Sequence, residues 1–170
     1  MSRVALDRLN SGDRAAFVAA LGDLFEHSPW VAAETFDRRP FRDAEHLRTE
    51  LVATMRGADR ARQAALIDAH PDLAGRLAQA GQLTPESARE QASAALDRLT
   101  PAELADFQRL NQAYRTRFGF PFIVCARLSD RASILRALHA RLDNSPEQER
   151  ATALAEIEKI AWLRLRDRLT

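Results

Sequence analysis

Apolar residues recur at three- and four-residue steps along most of the chain, as in Phe17, Leu21, Leu24 and Phe25, or Leu47, Leu51 and Met55. That spacing gathers each set on one face of an α-helix. The pattern is interrupted at hydroxyl–proline pairs: Ser28-Pro29, Thr84-Pro85, Thr100-Pro101 and Ser145-Pro146. A hydroxyl there accepts from amides that have no helical partner, and a proline at the first helical position sacrifices no hydrogen bond. Thr100 with Glu103, and Ser145 with Gln148, complete capping boxes, and Asp43 and Asp59 are further caps. The spacing and caps predict helices over 13–26, 29–37, 43–56, 59–69, 72–80, 85–99, 101–117, 130–142 and 146–168. Alanine, leucine, arginine and glutamate dominate, and β-branched residues are sparse, which favours helix throughout. The expectation is an all-α fold: a single compact domain, 1–170, of eight or nine helices, with no internal repeat and no low-complexity linker.

Three prolines are not helix starts. Pro40, Pro71 and Pro121 sit in the breaks Arg39-Pro40-Phe41, His70-Pro71-Asp72 and Phe120-Pro121-Phe122. Proline disfavours helix at the residue before it, so His70 is expected to end a helix in extended geometry at a corner. Such breaks can expose backbone donors to a ligand.

Composition narrows the function by exclusion. A chain of 170 residues is long enough to bury a continuous core. The net charge of +1 argues against a nucleic-acid footprint. Cys125 stands alone, which excludes an internal disulfide and any cysteine-built zinc site. No apolar run reaches the roughly 20 residues of a membrane span, and no signal-peptide pattern opens the chain, so a cytoplasmic protein is expected. Lys159 is the only lysine among 25 basic residues, so no Schiff-base lysine is on offer unless it serves. Nucleotide-binding, zincin, nucleophile-elbow and calcium-loop motifs are all missing, and the four histidines never fall at metal-ligand spacing.

Four features could carry chemistry. His70, fixed at its corner, could act as general acid or base, or be merely structural. Ser87, Glu90 and Gln91 stand at i, i+3 and i+4 of one helix, and are either solvated or converge on a pocket. Phe118-Gly119-Phe120-Pro121-Phe122-Ile123-Val124-Cys125-Ala126 reads as a buried strand, a buried helix or an irregular segment; in the last case its amides after Pro121 must find partners, and a bound anion could supply them. Arg164 lies on the apolar stripe of Leu154, Ile157, Ile160 and Ala161, where it should meet a carboxylate of the protein or of a ligand; Arg166 and Arg168 read as solvated.

Several segments stand together in order: His70-Pro71-Asp72-Leu73-Ala74-Gly75, Leu83-Thr84 with Ser87 and Glu90-Gln91, Phe107, Leu110-Asn111, Tyr114, and Phe118 through Ile123. With Glu26-His27-Ser28-Pro29-Trp30, Arg39-Pro40-Phe41, Arg141-Leu142-Asp143-Asn144 and the stretch from Ile157 to Leu165, they cover nearly the whole chain. In this the sequence resembles 2-oxo-4-hydroxy-4-carboxy-5-ureidoimidazoline (OHCU) decarboxylases, which act in urate degradation. The resemblance implies an all-α homodimer that converts the small-molecule substrate OHCU to (S)-allantoin with no cofactor; no metal, nucleic-acid or membrane partner is expected. It implies catalytic roles for His70 and Glu90. It places substrate against Pro71, against Ser87, Ala88, Arg89, Glu90 and Gln91, against the backbone of Phe122, Ile123, Val124, Cys125 and Ala126, and against Arg164. The family often carries Ala-Gly-Leu after its Glu-Gln pair, where this chain has Ala94-Ala95-Leu96; the extra methyl is expected to shift helix packing slightly. The competing expectations are a non-catalytic helical interaction module, and a related lyase acting on another small ureido or imidazoline acid.

Overall fold

A computed structural model describes residues 3–75, 78 and 80–170. Among them lie nine α-helices: α1 (Leu6–Ser11), α2 (Arg14–Leu21), α3 (Trp30–Thr35), α4 (Ala44–Gly57), α5 (Arg60–Asp68), α6 (Pro85–Ser93), α7 (Pro101–Phe118), α8 (Arg131–Arg141) and α9 (Pro146–Arg168). Two 3₁₀ turns, Phe36–Arg38 and Ala126–Leu128, follow α3 and precede α8. The fold is all-α: among the described residues the only β pairing is an isolated bridge between Val4 and Leu169. None of the described helices is long and apolar enough to cross a membrane.

The chain forms two compact units. One comprises residues up to Ala69 with Glu158–Thr170; the other is His70–Ile157. In the first, α3 packs against α2 and α4, and Phe17, Leu21, Leu24, Phe25, Val31, Leu47 and Met55 are buried. In the second, α7 packs on α8, over a core of Leu96, Phe107, Leu110, Tyr114, Phe122, Ile134 and Leu138. Tyr114 is its hub, with ring centroids 4.6, 5.9 and 5.3 Å from Phe118, Phe120 and Phe122. Such contacts each contribute about 0.5–1.5 kcal/mol beyond the area they bury.

Most expected caps form. The side chains of Asp43, Asp59, Thr84 and Thr100 accept from the first-turn amides of α4, α5, α6 and α7, and Ser145 exchanges hydrogen bonds with Gln148 at the start of α9. Ser28 differs: α3 starts after Pro29 without a side-chain cap. Helix α1 escaped the spacing analysis because its single buried residue, Leu9, makes no periodic stripe. The helix expected over 13–26 ends at Leu21. The one expected over 72–80 does not begin at Asp72, where a turn closes from the Gly75 amide to the Asp72 carbonyl; its Arg76, Leu77 and Gln79 lie outside the described residues.

The largest correction concerns 85–99, which is helical only to Ser93. Ala95 takes φ +57°, a left-handed conformation, and the Ala94 and Leu96 amides both fold back onto the Gln91 carbonyl, at 3.2 and 3.1 Å. The methyl at Ala95 therefore strains the backbone at a helix stop, rather than adjusting helix packing. A left-handed residue with a Cβ costs about 1–2 kcal/mol, against roughly 0.5–1 kcal/mol for the extra freedom of an unfolded glycine. Ala95→Gly should therefore stabilise the protein by about 0.5–1 kcal/mol in urea unfolding; a lowered midpoint would show that the strain is relieved elsewhere.

Candidate active site

Helix α5 stops at Asp68, two residues before His70. His70 is buried, as are Leu73 and Ala74. Ala74 is left-handed (φ +51°), and Gly75 lies so close to Asp72 that a Cβ there would stand 2.7 Å from the Asp72 Cβ. Apart from the bond from the Gly75 amide to the Asp72 carbonyl, the backbone polar groups of this corner need partners from elsewhere. Side chains of α6 and α7 supply them. Gln91 Oε1 accepts from the Ala74 amide at 2.9 Å, and Gln91 Nε2 reaches the Asp72 carbonyl at 3.5 Å. Asn111 Nδ2 donates to the Leu73 carbonyl at 2.8 Å, while its buried Oδ1 has no partner among the described residues. Arg115 Nε donates to both Asp72 carboxylate oxygens at 3.0 Å.

Helix α6 presents Ser87 and Gln91 to the interior and Glu90 at its margin. Two of the i, i+3, i+4 set are therefore buried and the third is half-buried, which removes the fully solvated alternative. Ala88 and Arg89 point the other way: both are exposed, and Arg89 pairs with Glu86 at 3.0 Å. Gln91 is engaged with the His70 corner through both atoms of its amide.

The third segment is neither strand nor helix. Gly119, left-handed at φ +80°, closes α7, and an irregular run leads to the turn Ala126–Leu128, which packs against α6. Phe122, Ile123, Cys125 and Ala126 are buried, whereas Val124 is only partly so. The Cys125 amide donates to Glu156 Oε2 at 2.7 Å, and the Ile123 carbonyl accepts from Arg141 Nη1 at 2.7 Å. The amides of Ile123, Val124 and Ala126 have no partner among the described residues. Burial, then the nearby carboxylates of Glu156 and Glu90, push the Cys125 thiol up, so it remains protonated. The same influence puts Glu90 within electrostatic reach of this segment.

Behind it lies a polar network. Glu149, fully buried, accepts from Arg141 Nη2 and Nε at 2.8 and 2.9 Å, from Asn144 Nδ2 at 2.7 Å and from the Tyr114 hydroxyl. Burial alone would raise its pKa, but these hydrogen bonds and the Arg141 charge outweigh it and hold the carboxyl below its usual range. Burial and the bond to Glu149 push the Tyr114 phenol up, keeping it a donor. Arg141 also covers the Phe122 ring, 4.4 Å from its centroid.

Arg164 belongs to the other unit, and there it meets the expected carboxylate: Glu26, at 3.0 Å, both side chains at least nine-tenths buried. Its Nη1 also faces the Asp23 and Leu24 carbonyls, at 3.3 and 3.5 Å. Arg166 is exposed as expected, but Arg168 is buried, held by Asp23 at 2.6 Å and the Ala20 carbonyl at 2.8 Å. The spacing analysis missed the residues that hold the irregular segments: Asp72, Asn111, Arg115, Arg141, Glu149 and Glu156. One signal was available. Glu149 and Glu156 lie seven residues apart, on the same face of α9 as the buried Ala153, Leu154 and Ile157.

Comparison with known proteins follows the same ground. The family model described as OHCU decarboxylase matches residues 10–166. The chain is 45% identical to the 2-oxo-4-hydroxy-4-carboxy-5-ureidoimidazoline decarboxylase of Mus musculus, covering 95% of this chain and 91% of that one. It is 42% identical to the decarboxylase of the same name from Halalkalicoccus jeotgali, covering 98% and 93%. Among solved structures, that of an (S)-allantoin synthase superposes with a TM-score of 0.75 at 32% identity, covering 98% of this chain and 54% of that one.

The buried ion pair sets a prediction. Glu149→Gln keeps the acceptor but leaves Arg141 without its charge partner, which should destabilise the protein by about 3 kcal/mol at neutral pH. Because the folded Glu149 pKa is depressed, its stabilisation is present above the ordinary 4.5 and is lost as pH falls through the folded value. The gap between wild type and variant should therefore close in acid. A gap that stays constant from pH 7 to pH 3 in thermal melts would contradict the assignment.

Proposed function

Because the chain belongs to the OHCU decarboxylase family, we infer that it converts 2-oxo-4-hydroxy-4-carboxy-5-ureidoimidazoline to CO₂ and (S)-allantoin, as a carboxy-lyase of urate degradation. One observation supports this placement most: a buried histidine corner, the Ser87–Glu90 face of α6 and a buried run of unpartnered amides belong to the same compact unit.

The chemistry asks for those groups. When the C4–carboxylate bond breaks, its electron pair forms a double bond from C4 to the ureido-bearing carbon, and the π pair of that carbon's C=N bond moves onto the ring nitrogen. CO₂ leaves, and an enol with added negative charge remains. Cleavage is fastest when the breaking bond stands perpendicular to the ring π-system, so the site must hold the carboxylate out of the ring plane. Amides of the Phe122–Ala126 segment, other than that of Cys125, which Glu156 already holds, donate to the oxygens on which charge collects. His70 then delivers a proton to one face of the ureido-bearing carbon, and the C4 hydroxyl gives up its proton to the charged ring nitrogen as it collapses to the carbonyl of allantoin. Delivery from one face sets the S configuration. Glu90 orients His70 or accepts from the ureido N–H groups. Pro71 shapes the wall beside the histidine, and Ser87 offers a hydroxyl from the same face of α6 as Glu90. Ala88 and Arg89 contribute backbone only.

Arg164 is the weakest of the carried-over assignments, since Glu26 already accounts for its burial. A cytoplasmic homodimer completes the proposal on the strength of the resemblance; light scattering should then give twice the 19.0 kDa of the chain.

General acid–base catalysis of this kind is worth roughly 10²–10⁴-fold. His70→Ala should therefore lower kcat for freshly generated OHCU by about that factor while the far-ultraviolet circular dichroism is unchanged. An undiminished rate would remove His70 from the mechanism.

A further inference from the structure

The amides that face substrate can stabilise charge only if they point the right way before the substrate arrives. A loop does not guarantee this, since each peptide plane outside a helix can rotate. Here the two planes flanking Val124 are each held by a side chain. Arg141 Nη1 donates to the Ile123 carbonyl at 2.7 Å, and Glu156 Oε2 accepts from the Cys125 amide at 2.7 Å.

The consequence follows from peptide geometry. In a trans peptide the C=O and the N–H of the next residue point in opposite directions, and the only cis bond among the described residues is Arg39-Pro40. With the Ile123 carbonyl turned to Arg141, the Val124 N–H must point away from it. With the Cys125 N–H turned to Glu156, the Val124 carbonyl must point away from Glu156. Val124 is also the one residue from Phe122 to Ala126 that is not fully buried, and its amide has no partner among the described residues. The Cys125 amide, by contrast, is already taken by a carboxylate.

The supports are themselves braced. Glu149 fixes Arg141 through two nitrogens, and Phe122 lies beneath the guanidinium. Glu149 and Glu156 come from the same face of α9, two helical turns apart. One rigid helix thus sets both ends of the clamp.

On the decarboxylase reading, on which this rests, we propose that Arg141 and Glu156 are positioning residues: they fix the peptide planes on either side of Val124 so that its N–H meets the substrate oxygen where charge develops. Neither side chain touches substrate, and the Cys125 amide serves the clamp rather than the ligand.

The test compares Glu156→Ala, Glu156→Gln and Arg141→Lys in the full-length chain, with kcat and KM measured on freshly generated OHCU well below the melting temperature. Misplacing a catalytic group by about 1 Å can cost on the order of 100-fold, so Glu156→Ala should lose roughly 10- to 100-fold in kcat. Glu156→Gln retains an oxygen for the Cys125 amide and should recover to within about fivefold of wild type, the difference between a charged and a neutral hydrogen bond. Lysine keeps the charge opposite Glu149 but cannot also span to the Ile123 carbonyl, so Arg141→Lys should lose kcat while remaining folded. Should Glu156→Ala fail to fold, the glutamine and lysine variants carry the comparison. As an independent readout, titration with (S)-allantoin should shift the Val124 amide resonance in wild type and much less in Arg141→Lys. Wild-type kcat in Glu156→Ala or Arg141→Lys overturns the clamp, as does a glutamine variant that is no better than alanine. A wild-type chain that does not accelerate OHCU decay overturns the decarboxylase reading itself, and the clamp with it.

Discussion

Backbone polar groups that leave a helix must still be satisfied when they are buried, and the unit from His70 to Ile157 is organised around that constraint. Two of its segments, the His70–Gly75 corner and the run from Phe120 to Cys125, are largely buried yet irregular. Their carbonyls and amides are met by side chains: Gln91 on Ala74 and Asp72, Asn111 on Leu73, Arg141 on Ile123, Glu156 on Cys125. Gln91 is central, since its side chain secures the corner while its carbonyl receives the amides that end α6. The amides of Ile123, Val124 and Ala126 have no partner among the described residues, and these are the ones we propose meet a ligand.

This division explains why so much charge is buried in a protein whose reaction needs little of it. Glu149 and Arg141 are both largely buried, and such a pair is not in itself a source of stability, because desolvation offsets most of the attraction. Its contribution is geometric. With Tyr114 and Asn144 it forms a hydrogen-bonded network that reaches the irregular segment through the Ile123 carbonyl. The Glu26–Arg164 pair of the other unit is equally buried and binds backbone carbonyls as well.

Helices and their starts were legible because the signals are local: a hydroxyl or carboxylate cap, a proline at the first position, an apolar stripe. Helix ends were less so. Ala95 reads as a good helix former, yet it adopts a left-handed conformation because Leu96 must reach the core. His70, Ser87 and Glu90 could be named from the resemblance and from spacing. The clamps could not, because each joins a side chain to a backbone group 17 to 38 residues away, and a carbonyl has no sequence signature. Arg168 misled for a similar reason: a helix C-terminus suits a solvated cation, but Asp23 and the Ala20 carbonyl draw it inward.

The central claim is that this unit removes CO₂ and delivers a proton from one fixed side. The circular dichroism of allantoin formed when the purified protein meets freshly generated OHCU tests it most directly. Accumulation of the S enantiomer, faster than spontaneous decay, is the result the account predicts. A racemic product at the spontaneous rate would contradict it.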